Sequence, residues 1–374
     1  MKTLLMVANV DWFFISHRLC IAQQACKQGW NVYVACEDTG RSSEIKVDGI
    51  NFINFKFSRS GINPIKEIKT LRQFYKIYKT VNPDVVHHIT LKPVTYGSII
   101  SKLLNIKGVV NAVSGLGYNF TGDRQGIIQK MMISLMRFGF NRSNVTVIFQ
   151  NADDQKALKD LNIISDNNSI VRIKGSGVDL NQFSESPFPS FDRIKVLLPI
   201  RMLWDKGVKE LREASELLKD KYKNKLQIIL SGLADEDNKA GVPASYLNDW
   251  QDKDFVLWVG YQKNMVQIYQ DSHIVILPSY REGMPKTLIE ACAVGRPIIT
   301  TDAIGCRECV DEGVNGFKVP VYSIKELADA IEKLLLHPDL IKTMGRESRL
   351  KAEKEFDVNQ VIEKHLKIYS NFLN

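Results

Sequence analysis

Short apolar runs alternate with longer amphipathic stretches along the chain, and this alternation predicts its fold. A run of about five apolar residues between turn signals is typical of a strand buried on both faces. In the first half, such strands are predicted at 4–8, 31–36, 84–89, 108–113, 144–150 and 169–174. In the second half, they are predicted at 194–200, 226–230, 255–259, 273–277 and 296–302. Because helical stretches separate the strands, the pattern predicts an α/β protein with parallel, doubly wound sheets.

One interruption divides this pattern into two halves. Residues 184–193 contain two prolines and no periodic apolar positions, which is typical of a linker. A chain of 374 residues also suits two domains better than one. The sequence therefore predicts a first domain over 1–183 and a second over 194–356, followed by a final helix over 357–374.

The segment 278–290 carries the strongest chemical signal. It follows a predicted strand, and Pro285 stands where a helix is expected to begin. The amides of Lys286 and Thr287 would then point back into the turn, where the positive helix end favours phosphate. Glu282 in the turn and Glu290 in the helix are spaced to reach opposite ends of one ligand.

A second phosphate signal follows the predicted strand 194–200. Arg201 and Lys206 lie five residues apart in a strand-to-helix turn that contains Gly207. Two such cations can bind a diphosphate from two sides, although a chance pair of surface cations is the alternative. The acidic stretch 235–237 is interpreted as a solvated loop.

The basic charge lies in the first half of the chain. Residues 1–190 contain 23 Lys and Arg against 14 Asp and Glu, whereas the whole chain has a net charge of +8. This asymmetry favours an anionic partner such as a membrane surface, a nucleic acid or a phosphorylated acceptor. Amphipathic helices with basic residues are predicted over 64–79 and 127–140, and both suit an anionic membrane, although docking on their own core is the commoner fate.

The first residues and the cysteines indicate in which cellular compartment the protein is expected. The first apolar run is interpreted as a buried strand rather than a signal peptide, and no run reaches the ~20 residues of a spanning helix. The scattered cysteines, including Cys306 and Cys309, are interpreted as structural thiols of a reducing cytoplasm. No interleaved aromatic and basic motif for nucleic acid is present.

Polar residues near the ends of the first strands are weaker candidates for an acceptor site. Asp11, His17 and Arg18 lie in the segment 9–18 after the first strand, which overlaps the start of a helix predicted over 15–28. Read singly, they are a turn former, a residue beside a helix cap and a surface charge. His88 and Lys92 end the strand 84–89, where a packed core histidine is the alternative.

These motifs together resemble the Glu-x7-Glu signature and the Arg-x4-Lys-Gly motif of the family 4 glycosyltransferases. The segments 11–18, 114–118 and 281–286 look like a bacterial CapM-like and PglA-like branch of that family. The resemblance implies the GT-B fold, in which two Rossmann-like domains face each other across a cleft and the last helix crosses back to the first domain. It covers essentially the whole chain. In many members a histidine that contacts the transferred sugar follows the fifth strand, and Ser114 takes that position here.

The resemblance also implies an activity. It assigns Arg201 and Lys206 to the donor diphosphate, Glu290 to the ribose, and Glu282 with the 283–286 backbone to the transferred sugar and phosphate. It implies a retaining transferase that moves a hexose or N-acetylhexosamine from a UDP-sugar to a polyprenyl-diphosphate-linked saccharide, without a metal or other cofactor. We expect a cytoplasmic enzyme bound peripherally to the inner face of the plasma membrane. The alternatives are a GT-B nucleotide-sugar epimerase and a non-catalytic basic module that binds anionic lipid or nucleic acid.

Overall fold

The computed structural model describes residues 2–57, 64–116, 126–236 and 238–373, apart from the side chains of 64, 127 and 128. The resemblance over 117–118 and the interpretation of Asp237 lie outside the described residues. The chain divides into two compact units, one formed by Met1–Ser176 with Asn359–Asn374 and the other by Gly177–Val358.

The boundary between the units differs from the predicted linker. Residues 177–193 belong to the second unit because their backbone is tied to its last helices. Val178 donates its amide to Phe356 O at 2.8 Å and accepts the amide of Val358 at 3.0 Å. Arg349 donates to Phe183 O at 3.1 Å. These bonds join segments far apart in sequence, which a local composition signal does not show.

The described part of the first unit contains a parallel sheet of seven strands in the order β3-β2-β1-β4-β5-β6-β7. Its strands are β1 Thr3–Val10, β2 Asn31–Glu37, β3 Asn51–Asn54, β4 Val85–Ile89, β5 Gly108–Val113, β6 Val145–Phe149 and β7 Ser169–Arg172. The chain moves outward from β1 in both directions, so that β1 and β4 flank the point where strand order reverses. Ligands of such sheets bind beyond the carboxyl ends of the strands near this point.

Helices cover both faces of this sheet. They are α1 Asp11–Lys27, α2 Ser42–Ile45, α3 Pro64–Val81, a π-helix at Pro93–Gly97, α4 Ser98–Leu103, α5 Ile127–Phe140 and α6 Ala152–Asp160. Alternate residues of β1 enter two different apolar clusters, with Leu5 and Val7 on the face of α3 and α5, and Leu4 and Met6 on the face of α1. This alternation is the period of two that a strand imposes on its side chains.

The described part of the second unit repeats the design with six parallel strands in the order β10-β9-β8-β11-β12-β13. They are β8 Ile194–Pro199, β9 Leu226–Ser231, β10 Val256–Gly260, β11 Ile274–Leu277, β12 Ile298–Thr301 and β13 Gly316–Val319. Its helices are α7 Val208–Tyr222, α8 Ala244–Trp250, α9 Met265–Gln270, α10 Lys286–Val294, α11 Ile324–Leu336 and α12 Pro338–Glu355. The final helix, α13 Val358–Asn371, packs in the first unit, where Tyr369 joins its apolar core.

Two helices begin at residues other than those predicted. Helix α1 begins at Asp11, four residues before the predicted start at Ile15, so that Asp11 belongs to its first turn. The Asp11 carboxylate accepts the amide of Trp12 at 2.7 Å, and an acidic side chain in the first turn stabilises a helix start. Helix α10 begins at Lys286, with Pro285 at the capping position one residue earlier. Among the helices in the described ranges, none combines the length and the apolar content of a membrane span.

Candidate active site

Loops from neighbouring strands gather at the carboxyl edge of the second sheet. The loop after β8 carries Arg201 and Lys206, the loop after β11 carries Glu282, and the loop after β12 carries Gly305. Since β8, β11 and β12 are consecutive in the sheet, the three loops lie side by side. This edge is where parallel α/β sheets bind their ligands.

A glycine allows the first two of these loops to touch. Gly207 has a φ of 76°, and a Cβ atom there would lie 2.2 Å from the carbonyl oxygen of Pro278. Glycine is therefore required both for its backbone conformation and for the close approach. Next to this contact, the amide of Tyr280 donates to Asp205 O at 2.9 Å, which fixes the two loops together.

A second glycine joins the loops after β11 and β12. Gly305 has a φ of 82°, and a Cβ atom there would lie 2.3 Å from the carbonyl oxygen of Glu282. The amide of Glu282 donates to Ile304 O at 2.9 Å. The backbone on both sides of the Glu282 carboxylate is thus held by its neighbours before any ligand binds.

The centre of the site is an ion pair between Lys206 and Glu282. The Lys206 Nζ lies 2.6 Å from Glu282 Oε1, and the two side chains are only 17% and 18% exposed. Ser279 Oγ donates to the same carboxylate oxygen at 2.8 Å. Burial alone would lower the pKa of Lys206, but the negative charges of Glu282 and Asp205 raise it above its ordinary value. Lys206 is therefore a fixed cation at neutral pH.

The start of α10 faces the loop that contains Glu282. Gly283 and Met284 lead into Pro285, and the Met284 side chain is buried in the core of the second unit. The amides at the beginning of a helix point out of its amino-terminal end, and here they belong to Lys286 and Thr287. The arrangement adds the positive end of a helix to the charge of Lys206.

Glu290 lies one turn inside α10 and is buried. Tyr269 donates its hydroxyl to Glu290 Oε2 at 3.0 Å, and Lys286 Nζ lies 3.6 Å from Oε1. Burial raises the pKa of Glu290, although Lys286 and the tyrosine hydrogen bond partly oppose that shift. These partners hold the carboxylate in a fixed orientation, and its predicted contact with the ribose stays a prediction.

Arg201 is exposed and forms an ion pair across the same edge. Its Nη1 lies 3.3 Å from Asp235 Oδ2. The sequence interpretation expected a solvated Asp235, but the structure pairs this residue with Arg201. Within the described ranges, no group of three or more His, Cys, Asp or Glu residues is placed to hold a metal ion.

Asp11 has a structural role in the first unit. Its carboxylate is fully buried and accepts hydrogen bonds from Thr39 Oγ1 at 2.5 Å and from the amides of Thr39 at 2.7 Å and Arg41 at 2.9 Å. Burial raises the pKa of Asp11, but these hydrogen bonds outweigh it and hold the pKa below its ordinary value. Asp11 thus fixes the loop after β2 to the start of α1, and its contact with an acceptor stays a prediction.

His17 and Arg18 also differ from the sequence interpretation. The His17 ring stacks on Phe13 with centroids 4.2 Å apart and forms a 2.6 Å hydrogen bond with Ser16. Arg18, which belongs to α1, is buried and is not a surface charge, and burial lowers its pKa. Its Nη1 donates to His17 O at 2.8 Å. A buried Arg18 is not available to an acceptor.

His88 is a core histidine. It is fully buried, with Nδ1 2.7 Å from Asn111 Oδ1 and Nε2 2.7 Å from the Tyr78 hydroxyl. Because Asn111 Oδ1 can only accept, Nδ1 carries the proton and Nε2 accepts from Tyr78. Burial lowers the pKa of His88 to about 4, so the ring is neutral at physiological pH. Both ring nitrogens are occupied inside the protein, which favours the structural alternative.

Lys92 and Ser114 lie at the carboxyl edge of the first sheet. Lys92 Nζ lies 2.8 Å from Glu67 Oε1 of α3, a partner that the sequence analysis did not identify. Ser114 directly follows β5, and its hydroxyl is buried without a hydrogen-bond partner. Lys92 and Ser114 therefore remain candidates for contact with a polar acceptor.

Two residues of the site in the second unit escaped the sequence reasoning. Ser279 and Tyr269 hold the two glutamates. Ser279 lies inside the segment 278–290, three residues before Glu282, so its position was a usable signal. Tyr269 comes from another element, and no local pattern connects it to Glu290. The turn 304–308, expected near the donor cleft, does lie beside Glu282 through Gly305.

The chain is thus an α/β protein of two parallel doubly wound units, and one sheet edge carries a half-buried cation and helix amides, groups that can bind phosphate. The chain matches two protein families. Residues 3–151 match the family described as glycosyl transferase 4-like, and residues 180–351 match glycosyl transferases group 1. The chain is therefore a glycosyltransferase with one domain of each kind, and the predicted family and enzyme class are confirmed. Lys206, Glu282 and Glu290 all lie within the group 1 match.

Similar proteins extend over almost the full chain. The N,N'-diacetylbacillosaminyl-diphospho-undecaprenol alpha-1,3-N-acetylgalactosaminyltransferase of Campylobacter jejuni is 27% identical over 360 residues, which cover 91% of each chain. The UDP-Gal:alpha-D-GlcNAc-diphosphoundecaprenol alpha-1,3-galactosyltransferase of Escherichia coli is 22% identical and covers 91% of this chain and 89% of its own. The structure of Anabaena HepE in complex with UDP superposes with a TM-score of 0.77 at 17% identity, covering 99% of this chain and all of HepE. This likeness shows that the fold is GT-B, as predicted.

Proposed function

We propose that this glycosyltransferase moves a hexose or an N-acetylhexosamine from a UDP-sugar to a saccharide linked to polyprenyl diphosphate. The product would serve the biosynthesis of a capsule, an O-antigen or a related glycan. The observation that supports the donor half of the proposal is the half-buried Lys206–Glu282 ion pair beside the start of α10. The similar E. coli enzyme is named for UDP-Gal and HepE was crystallised with UDP, which supports the nucleotide. The C. jejuni and E. coli enzymes are both named for undecaprenol-linked diphospho-sugars, which supports the acceptor.

In the proposed complex, Lys206 and Arg201 bind the donor diphosphate. Diphosphate oxygens carry several negative charges, and Lys206 is a fixed cation that needs no reorganisation to meet them. The amides of Lys286 and Thr287 add hydrogen-bond donors at the positive end of α10. The Glu290 carboxylate, oriented by Tyr269, accepts the ribose hydroxyls.

The chemical step breaks the bond between the anomeric carbon and a phosphate oxygen. The bonding electrons stay on the UDP leaving group, and Lys206 with the helix amides stabilises that growing charge. The sugar ring becomes positive, and the Glu282 carboxylate orients and stabilises it. An acceptor hydroxyl oxygen then bonds to the same face of the anomeric carbon, and its proton passes to the leaving phosphate, so configuration is retained. Because fixed cations and amides supply the positive charge, this reaction needs no metal ion.

We also propose that α3 brings the enzyme to an anionic membrane, where a polyprenyl acceptor resides. Ile65 and Ile68 are 79% and 53% exposed, and Tyr75 is exposed as well. The basic residues on the same helix are Lys66, Lys69, Arg72, Lys76 and Lys79. Exposed apolar side chains among basic ones suit the interface of an anionic bilayer. On α5, Met131 and Phe138 are also exposed. The proposed place of action is the cytoplasmic face of the plasma membrane.

One reaction tests this function. The purified protein is incubated with UDP-, GDP- and dTDP-sugars, with and without a short-chain polyprenyl-diphosphate saccharide, and released nucleotide is measured. We expect UDP release only when both a UDP-sugar and the lipid acceptor are present, with no loss on addition of EDTA. Nuclear magnetic resonance of the product should show the anomeric configuration of the donor. Conversion of the nucleotide sugar without an acceptor would instead identify an epimerase, and an inverted product would disprove retention.

A further inference from the structure

The end of β4 contains two departures from ordinary backbone geometry. Thr90 directly follows the strand with a φ of 75°, a conformation that β-branched residues rarely adopt. The chain then enters the π-helix Pro93–Gly97, and Val94 already donates its amide to Thr90 O at 3.0 Å. Strained residues and π-helical turns both concentrate at functional sites. Here they place Lys92 at the carboxyl edge of the first sheet.

Lys92 is held there by a carboxylate from another element. Its Nζ lies 2.8 Å from Glu67 Oε1 on α3, and the two side chains are only 14% and 11% exposed. All other charged residues of α3 are basic, so Glu67 is an acid within a basic helix. A lysine that is mostly removed from water requires a counter-charge, and Glu67 supplies it.

Two hydroxyl groups at the same carboxyl edge of the first sheet have no partner. Within the described residues, Thr90 Oγ1 and Ser114 Oγ are both buried and make no hydrogen bond. Strands β4 and β5 are adjacent, and Ile89 pairs with Ala112. Thr90 directly follows Ile89, and Ser114 lies two residues after Ala112, so both residues lie at the carboxyl edge of the sheet. Buried hydroxyls almost always have partners in native proteins. Two such groups at the edge that also carries Lys92 offer donors to the oxygens of an anion.

The outer face of α3 is suited to a molecule with an apolar tail. Ile65 and Ile68 lie three positions apart on that face and are strongly exposed, whereas Glu67 is buried. An anion with an attached hydrocarbon chain would place its charged group on Lys92 and its tail along the apolar residues. A lipid-linked diphosphate has this combination of chemical groups.

We propose that Lys92, Thr90 and Ser114 bind the diphosphate of the lipid acceptor, and that Glu67 is an internal counter-ion which the diphosphate displaces. This inference rests on the proposed function, since it locates the acceptor group that the function requires. In the absence of acceptor, the ion pair with Glu67 holds the Lys92 ammonium group in place. When the diphosphate arrives, its larger negative charge takes over Lys92, and the two hydroxyls donate to its oxygens.

Calorimetric titration of the full chain with farnesyl diphosphate tests the proposal. Saturating UDP is present throughout, so that the second unit cannot bind the added diphosphate. We expect Lys92→Gln to weaken binding about tenfold or more and Ser114→Ala about threefold, as loss of a charged and of a neutral hydrogen bond would do. Glu67→Gln should instead tighten binding about threefold or more, because the competing charge is gone.

The matched control is Lys107→Gln. Lys107 pairs with Asp84 at 2.9 Å, and these residues lie just before β5 and β4, at the opposite end of the same strands. Its affinity for farnesyl diphosphate should equal that of the unmodified protein. If Lys92→Gln is too unstable to measure, as shown by thermal unfolding, Ser114→Ala and Thr90→Val keep the test decisive.

The outcomes separate this inference from the proposed function. Unchanged affinity in Lys92→Gln, with farnesyl diphosphate bound normally by the unmodified protein, overturns the site and leaves the lipid acceptor intact. Weaker binding by Glu67→Gln overturns the counter-ion role. No binding of farnesyl diphosphate by the unmodified protein overturns the site, whereas the acceptor itself is overturned only if the lipid-linked saccharide fails to support UDP release. Inorganic pyrophosphate bound as tightly as farnesyl diphosphate would show a site for free anions and not for a lipid.

Discussion

Replacement of Lys206 by methionine separates the role of its charge from that of its bulk. The Lys206 Nζ lies 2.6 Å from Glu282 Oε1 in a pair that is less than one-fifth exposed. A hydrogen bond to a charged group contributes about 1.5–3 kcal/mol, so the dissociation constant for UDP should rise about 10- to 100-fold. Loss of a group that stabilises the leaving charge should also lower kcat by about 100-fold or more.

The same replacement should destabilise the second unit. Without Lys206, the Glu282 carboxylate remains mostly buried and loses its counter-charge. Breaking such a pair by removing one partner costs about 3 kcal/mol. The double variant Lys206→Met with Glu282→Gln should recover part of this loss, because no unpaired charge remains. Thermal unfolding of the two variants measures the difference.

Calorimetry with UDP and steady-state UDP release give the two functional quantities. The matched control is Lys209→Met, since Lys209 forms an exposed ion pair with Glu213 at 3.7 Å on α7 and should leave both quantities unchanged. A folded Lys206→Met protein whose dissociation constant for UDP stays within about twofold of the original would refute the diphosphate role. Normal UDP affinity with a large loss of kcat would restrict Lys206 to the chemical step.

Three further predictions concern the membrane face, the loop contacts and the buried histidine. Ile68→Ser should reduce co-sedimentation of the protein with anionic vesicles. Leu217→Ser, which changes an exposed apolar residue of the second unit, should not reduce it. Equal effects of the two replacements would argue against a specific membrane-binding face. Gly305→Ala should lower the free energy of unfolding by about 2 kcal/mol or more, because the new Cβ atom would collide with the Glu282 backbone. Gly126→Ala, whose Cβ atom would meet no atom within 4 Å, should change the free energy of unfolding by no more than about 0.5 kcal/mol. The pKa of His88 is about 4 in the folded protein and ~6.5 in the unfolded chain, so between these values the unfolded chain binds more protons and stability falls as pH falls. Urea unfolding at pH 7 and pH 5 should show that His88→Gln removes about 2 kcal/mol of this loss, and an unchanged pH dependence would show that His88 does not contribute.

The sequence predicted the elements that local patterns encode. The strand β11, the turn after it and α10 lie within one continuous segment, and their order follows from an apolar run, a charged turn and a proline. The pairing of Lys206 with Glu282 joins residues 76 positions apart, and only the order of β8 and β11 in the sheet brings them together. Motif resemblance supplied both residues, but it did not supply their contact.

The errors in the first unit have the same origin. Asp11 and Arg18 have the residue types of an exposed polar loop, yet both are buried by partners from distant elements. Asp11 accepts hydrogen bonds from the loop after β2, and Arg18 is buried near Tyr369 of α13. A charged residue is mostly exposed by default, and a single sequence does not show the long-range contacts that reverse this default.

The position of α13 affects how the protein folds during synthesis. His87 of β4 bonds to the hydroxyl of Tyr369 at 2.7 Å across 282 residues of sequence, so the core of the first unit is incomplete until the end of the chain has left the ribosome. The second unit, by contrast, is one continuous segment that can fold as soon as it is exposed. The amino-terminal half therefore waits with an open apolar surface while the later half folds. Ribosomal pausing between the two halves would lengthen that exposure, and chaperone dependence should concentrate on residues that were translated first.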